Sequence, residues 1–158
     1  MGQQAGTKTV SETVLVPVDG SDPADAALEF ALETFPDAHL VLYHAINPLP
    51  VAREAGTDSA FAEFWSEQFE AAREDARDLL EGAEQRVGET DIDVEIETEI
   101  GLPHEVIVEY LDEQPVDHVV IGSHGRTGVS RVVMGSVAEK VVRRSPVPVT
   151  IVHGDAAP

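Results

Sequence analysis

Four short, largely apolar runs constrain this chain more than any other feature. They lie at residues 13–18, 39–46, 116–121 and 149–152. The run at 39–46 is too continuously apolar to have a wet face, as expected of a strand in a parallel sheet that helices cover on both sides. Between the runs stand helical patterns. Asp22 is positioned to cap a helix with Pro23 in its first turn, and Ala24, Ala27, Leu28, Ala31, Leu32 and Phe35 recur on one face. A long helix is predicted over residues 60–87, with Phe61, Phe64, Trp65, Gln68, Ala72, Ala76, Leu79, Ala83 and Val87 aligned and most acids opposite. A third carries Val106, Ile107, Tyr110 and Leu111, and a last one spans residues 137–144.

Residues 92–100 behave differently. Ile92, Val94, Ile96 and Ile100 alternate with Asp93, Glu95, Glu97 and Glu99, which marks a strand with one wet face at or near a sheet edge. Pro148, at the start of the final run, is also tolerated at an edge. Strands alternating with helices predict an α/β fold: a five-stranded, mostly parallel sheet with helices on both faces and right-handed crossovers. In such sheets ligands sit beyond the carboxyl ends of the strands, where the winding reverses between the first and fourth. Asp19 ends the first strand and Gly122 the fourth, so the two should meet at one crevice.

The segment after the fourth strand has the chemistry for an anion. Gly122, Gly125 and Gly135-Ser136 follow the spacing Gly-x2-Gly-x9-Gly-Ser and lead into the last helix. Glycines admit close backbone approach, and a helix N-terminus offers unpaired N–H groups and partial positive charge. The loop is neither a P-loop nor a dinucleotide-binding fingerprint. Half of the ten basic residues, Arg126, Arg131, Lys140, Arg143 and Arg144, lie between Gly122 and His153 in a chain of net charge -20. Arg143 and Arg144 complement a helix C-terminus, whereas Arg126 sits inside the loop.

Several residues have two readings. Ser136 with Glu139 fits a capping box as well as a ligand contact. His124 suits either a phosphate or a hydrogen bond within the loop. Asp19 is a turn former or a ligand residue at the switch point, and His44 a wall residue. No other His or Cys stands at ligand spacing from His124, so no protein metal site is expected.

The glycine spacing, joined to Pro17-Val18-Asp19 at the end of the first strand, resembles the nucleotide-binding branch of the universal stress protein family. The resemblance runs from about Thr13 to Val152, with Gly128 departing from the pattern. It implies strand order 3-2-1-4-5 in a Rossmann-like, adenine nucleotide alpha hydrolase-like fold, an ATP site, and a homodimer formed through the last strand. Carried over, Pro17 and Asp19 border the adenosine and Ala45 lines the adenine pocket. Ile121 and Gly122 touch the ribose side, and Gly125 and Arg126 approach the phosphates. Gly135, Ser136 and Val137 offer N–H groups and a hydroxyl to those phosphates, with Mg²⁺ or Mn²⁺ bridging them.

Composition bounds the rest. The 158 residues suit one domain over 13–153 with short tails at 1–12 and 154–158. The absence of cysteine excludes thiolate catalysis and disulfides, and no signal-like or membrane-length apolar run occurs, so a cytoplasmic protein is expected. Thirty acids against ten bases repel nucleic acid and anionic membranes, and with Lys8 and Lys140 the only lysines the balance fits a salt-rich, halophilic cytoplasm. Three functions follow from these readings: an ATP-binding, dimeric stress-response regulator with an unidentified protein partner, a slow ATPase or autophosphorylating enzyme at the same site, or a nucleotide-free dimeric scaffold.

Overall fold

The computed structural model describes residues 12–48, 61–123 and 134–153, and of 61–66 the backbone. In chain order the elements are β1 (Thr13–Pro17), α1 (Asp22–Thr34), β2 (His39–Ile46), α2 (Phe61–Gly88), β3 (Asp93–Ile100), α3 (Pro103–Glu113), β4 (His118–Ser123), α4 (Ser136–Arg144) and β5 (Val149–His153). The strands form one sheet in the order β3-β2-β1-β4-β5, every neighbouring pair parallel.

Strand alternation builds two cores. Val14 and Val16 of β1 point to one face with Leu40, Leu42 and Val120, where Ala27, Leu28 and Ala31 of α1 and Leu80 and Val87 of α2 cover them. Leu15, Val41, Val119 and Ile121 point to the other, against Val106, Ile107 and Leu111 of α3 and Ala138 and Val141 of α4. Each fully buried Leu or Val contributes about 1.5–3 kcal/mol. The continuous apolar runs thus fill both layers, as expected of a parallel sheet.

Four local readings of the sequence are corrected. The cap of α1 is Ser21, whose side chain accepts from Ala24 N at 3.3 Å, and Asp22 is the first helical residue. Ser136 is likewise inside α4, with Gly135 as cap and no side-chain cap bond; Glu139 reaches forward to Arg143 at 3.0 Å, so no capping box forms. The run at 116–121 shifts two residues: Val116 is buried in a turn, its N–H on Gln114 O, and β4 continues through Gly122 to Ser123. On α2 the buried stripe includes Phe69 (9% exposed) and Leu80 (1%), which the predicted series missed.

β3 is an edge strand, as its alternation required, yet Ile96 and Ile100 remain 36% and 37% exposed on the supposedly covered face. Its start is clasped by His39 of β2, with Nδ1 2.8 Å from Asp93 Oδ2 and Nε2 3.0 Å from Glu95 Oε1. The Glu95 hydrogen bond, aided by Asp93, holds the imidazole pKa above its ordinary 6.5, and that same bond holds Glu95 below 4.5. A raised histidine stabilises fully below its unfolded pKa and loses that contribution as pH rises through the folded value; a lowered carboxyl loses its contribution as pH falls. The clasp is therefore strongest between about 4.5 and 6.5. Because Asp93 is 80% exposed, solvent limits the effect to about 1 kcal/mol or less. From pH 6 to pH 8 the urea midpoint of the wild type should fall more than that of His39→Gln; equal slopes would show that the clasp contributes nothing.

Candidate functional site

The carboxyl ends of β1 and β4 diverge, and a cavity of about 160 Å³ opens between them. Its walls bring together Pro17 and Asp19 from β1 and its turn, Ala45 from β2, Ile121 and Gly122 from β4, and Val137 from α4. Six of the sequence-predicted residues, drawn from four segments, thus share one crevice. Val18, Ser21, Ala24, Tyr43, His44, Pro103 and Ile107 complete it, so the lining is mostly apolar. The volume is below the roughly 300–1,000 Å³ of a site that encloses a whole drug-sized ligand. A ligand would bury one flat, apolar end here and leave the remainder along the mouth formed by β4 and α4.

The walls are fixed by hydrogen bonds that also orient the polar groups. Val18 N donates to Tyr43 O at 2.8 Å, and His44 Nδ1 lies 2.7 Å from Val18 O, which makes His44 a held wall residue. Tyr43 is buried, its hydroxyl donating to Val106 O at 3.2 Å and its ring edge-on to Tyr110 at 5.1 Å. Burial lifts the Tyr43 phenol well above its usual range, so it stays neutral. Asp19 Oδ1 accepts from Ser21 N at 3.0 Å and from Ser21 Oγ at 2.5 Å. Asp19 is therefore both turn former and wall residue. Gly20 between them has φ of 82°, a conformation that glycine adopts without strain.

The end of β4 and the start of α4 are joined by a contact that sequence reading did not isolate. Ser123, 1% exposed, accepts from Gly135 N at 2.8 Å and so pins the start of α4 to the end of β4. This corrects one expected donor: the Gly135 N–H is occupied within the protein. The N–H groups of Ser136, Val137 and Ala138, in a first turn without a side-chain cap, have no acceptor within the helix. The only sequence signal for Ser123 was its period-2 relation to Val119 and Ile121, which turns it towards α4. His124, Gly125, Arg126 and Gly128 lie outside the described residues.

Among the described residues no group of three or more His, Cys, Asp or Glu could hold a metal ion, and no helix is long and apolar enough to cross a membrane.

Residues 11–153 match the model of the universal stress protein family. Universal stress protein MJ0577 of Methanocaldococcus jannaschii is 29% identical over 150 residues, which cover 88% of this chain and 93% of that protein. The solved MJ0577 structure superposes with a TM-score of 0.76 at 28% identity, covering 92% of this chain and 98% of the other. Universal stress protein UspA from Lactobacillus plantarum gives 0.74 at 28% identity, with coverages of 89% and 97%. An Arabidopsis thaliana family protein with AMP bound shares the fold at a TM-score of 0.68 and 21% identity, covering 92% and 93%.

Proposed function

The chain belongs to the universal stress protein family, and from that premise we propose that it is an ATP-binding, homodimeric stress-response regulator. The observation that carries the nucleotide is the pairing of two unlike ends in one crevice. A mostly apolar floor of Pro17, Val18, Ala45 and Ile107 suits a flat base, and the uncapped start of α4 suits its phosphates. Asp19 and Gly122, between them, would face the ribose. Ser136 and Val137 would donate N–H groups to the phosphates, with His124, Gly125 and Arg126 contributing from the loop. A Mg²⁺ or Mn²⁺ ion would be held mainly by phosphate oxygens and water, and would neutralise charge there.

The regulator reading is favoured over hydrolysis because the titratable crevice groups are already engaged in holding the walls: Asp19 by Ser21, His44 by Val18, Tyr43 by Val106. The two sheet edges point to where copies would pair. β3 carries Asp93, Glu95, Glu97 and Glu99, which repel a second copy, whereas β5 is Val149-Thr150-Ile151-Val152-His153 without an acid.

The experiment is calorimetric titration of ATP with Mg²⁺ at molar KCl into the wild type and Ser123→Ala. Saturable binding of one nucleotide per chain is expected, about tenfold weaker in the variant because the loss of one buried acceptor, of order 1–3 kcal/mol, loosens the first turn of α4. A folded wild type that binds no ATP would refute the nucleotide. The same samples sedimenting as monomers would refute the dimer.

A further inference from the structure

A second cavity, about 320 Å³, lies between α2 and the edge strand β3, away from the β1–β4 crevice. Its floor is apolar: Ile46 and Leu80 are 5% and 1% exposed, and Ile96 keeps 36% of its surface open. Its rim carries Arg73 and Arg77, one helical turn apart on α2, with Thr98 and Glu97 across from them. The chain holds 30 carboxylates, yet among the described residues neither guanidinium makes an ion pair. Arg86 on the same helix meets Asp25 at 3.5 Å, and Arg143 meets Glu139 at 3.0 Å. Glu97, the acid in the lining, shares a side-chain hydrogen bond with Glu95, which raises its pKa, and does not neutralise the arginines.

With no ion-pair partner among the described residues, the two guanidiniums keep N–H donors available to an anion placed between them. Guanidinium forks match planar carboxylates in bidentate fashion, and an apolar floor beside them rewards a ligand with a hydrocarbon or aromatic body. We propose that this groove binds a small amphiphilic carboxylate, its acid group between Arg73 and Arg77 and its apolar body on Ile46, Leu80 and Ile96. The site lies on the α2 face of the sheet, whereas Ile107 and Val137 place the nucleotide crevice beside α3 and α4. The two would be occupied independently.

2-Naphthoate, an aromatic ring bearing one carboxylate, is the probe. Calorimetric titration at molar KCl should show one saturable site per chain. Arg73→Gln with Arg77→Gln should weaken it at least tenfold, Ile96→Asp should abolish it, and 2-naphthalenemethanol, which lacks the acid, should bind at least tenfold more weakly than naphthoate. Saturating ATP with Mg²⁺ should leave naphthoate affinity unchanged. Both arginines are exposed, so the double variant should keep the wild-type unfolding midpoint. Failure of the folded wild type to bind, equal binding by the double variant, or displacement by ATP would each overturn the assignment.

Discussion

Gly122→Ala should unfold at a markedly lower temperature than the wild type and lose nucleotide binding with it. A Cβ built on Gly122 would overlap the carbonyl carbon and oxygen of Pro23 and stand 2.7 Å from Ala24 N. All three atoms are backbone in the first turn of α1, so no rotamer change relieves the clash. α1 must retreat from β4, and Ala27, Leu28 and Ala31 then leave the core that they share with Val120. Overpacking of this kind costs about 1–3 kcal/mol and more where backbone must shift. We expect the upper end, about 3 kcal/mol, which lowers Tm by about 6–12 °C for a domain of this size. Gly82→Ala is the control: nothing lies within 4 Å of its added methyl inside α2, so stability should hold or rise by up to about 1 kcal/mol. A Gly122→Ala midpoint equal to the wild type would mean that α1 does not rest on β4 as described.

That contact also shows where sequence reasoning stops. The apolar runs and the one alternating strand were sufficient to give parallel layers and to put β3 at an edge, because burial on two faces or one is written in residue type. Strand order beyond the edge came from family likeness, since periodicity carries no information about which neighbour a strand chooses. Gly122 was legible as a glycine that something approaches closely, and a ligand was the expected visitor. The structure adds the first turn of α1, a contact with Pro23 and Ala24 far away in the chain that no local pattern encodes.

The caps failed for a smaller reason. Ser21 and Asp22 are both good caps, and so are Gly135 and Ser136, so type alone leaves the boundary uncertain by one residue. That single residue changes the chemistry of the site. With Ser136 inside the helix, the hydroxyl that serves the turn is Ser123's, and the donor it takes up is Gly135's. Asp19 and Gly122 stood out because a polar or glycine residue broke an apolar run there, whereas Ala45, Ile121 and Val137 came from the family resemblance. Val18, Tyr43 and Ile107 went unremarked as site residues because an apolar wall reads like core.

Ala45→Trp should abolish ATP binding, by at least a hundredfold, while the chain remains folded. Ala45 is half-buried near the end of β2 and lines the crevice, whose volume of about 160 Å³ leaves little room beside an indole. The new ring would occupy the place proposed for the base, so ATP would have to displace it; a hundredfold loss corresponds to about 2.7 kcal/mol. The side chain enters existing space, so the chain should remain folded, with a urea midpoint lowered by no more than the lower part of the roughly 1–3 kcal/mol that over-filling costs. Pyrophosphate separates the two ends of the site. Its weak binding should survive Ala45→Trp, which leaves the start of α4 untouched, and should fall in Ser123→Ala, which loosens it. ATP binding that persists in a folded Ala45→Trp would remove the base from this crevice, and pyrophosphate lost equally in both variants would mean that the two ends are not separate.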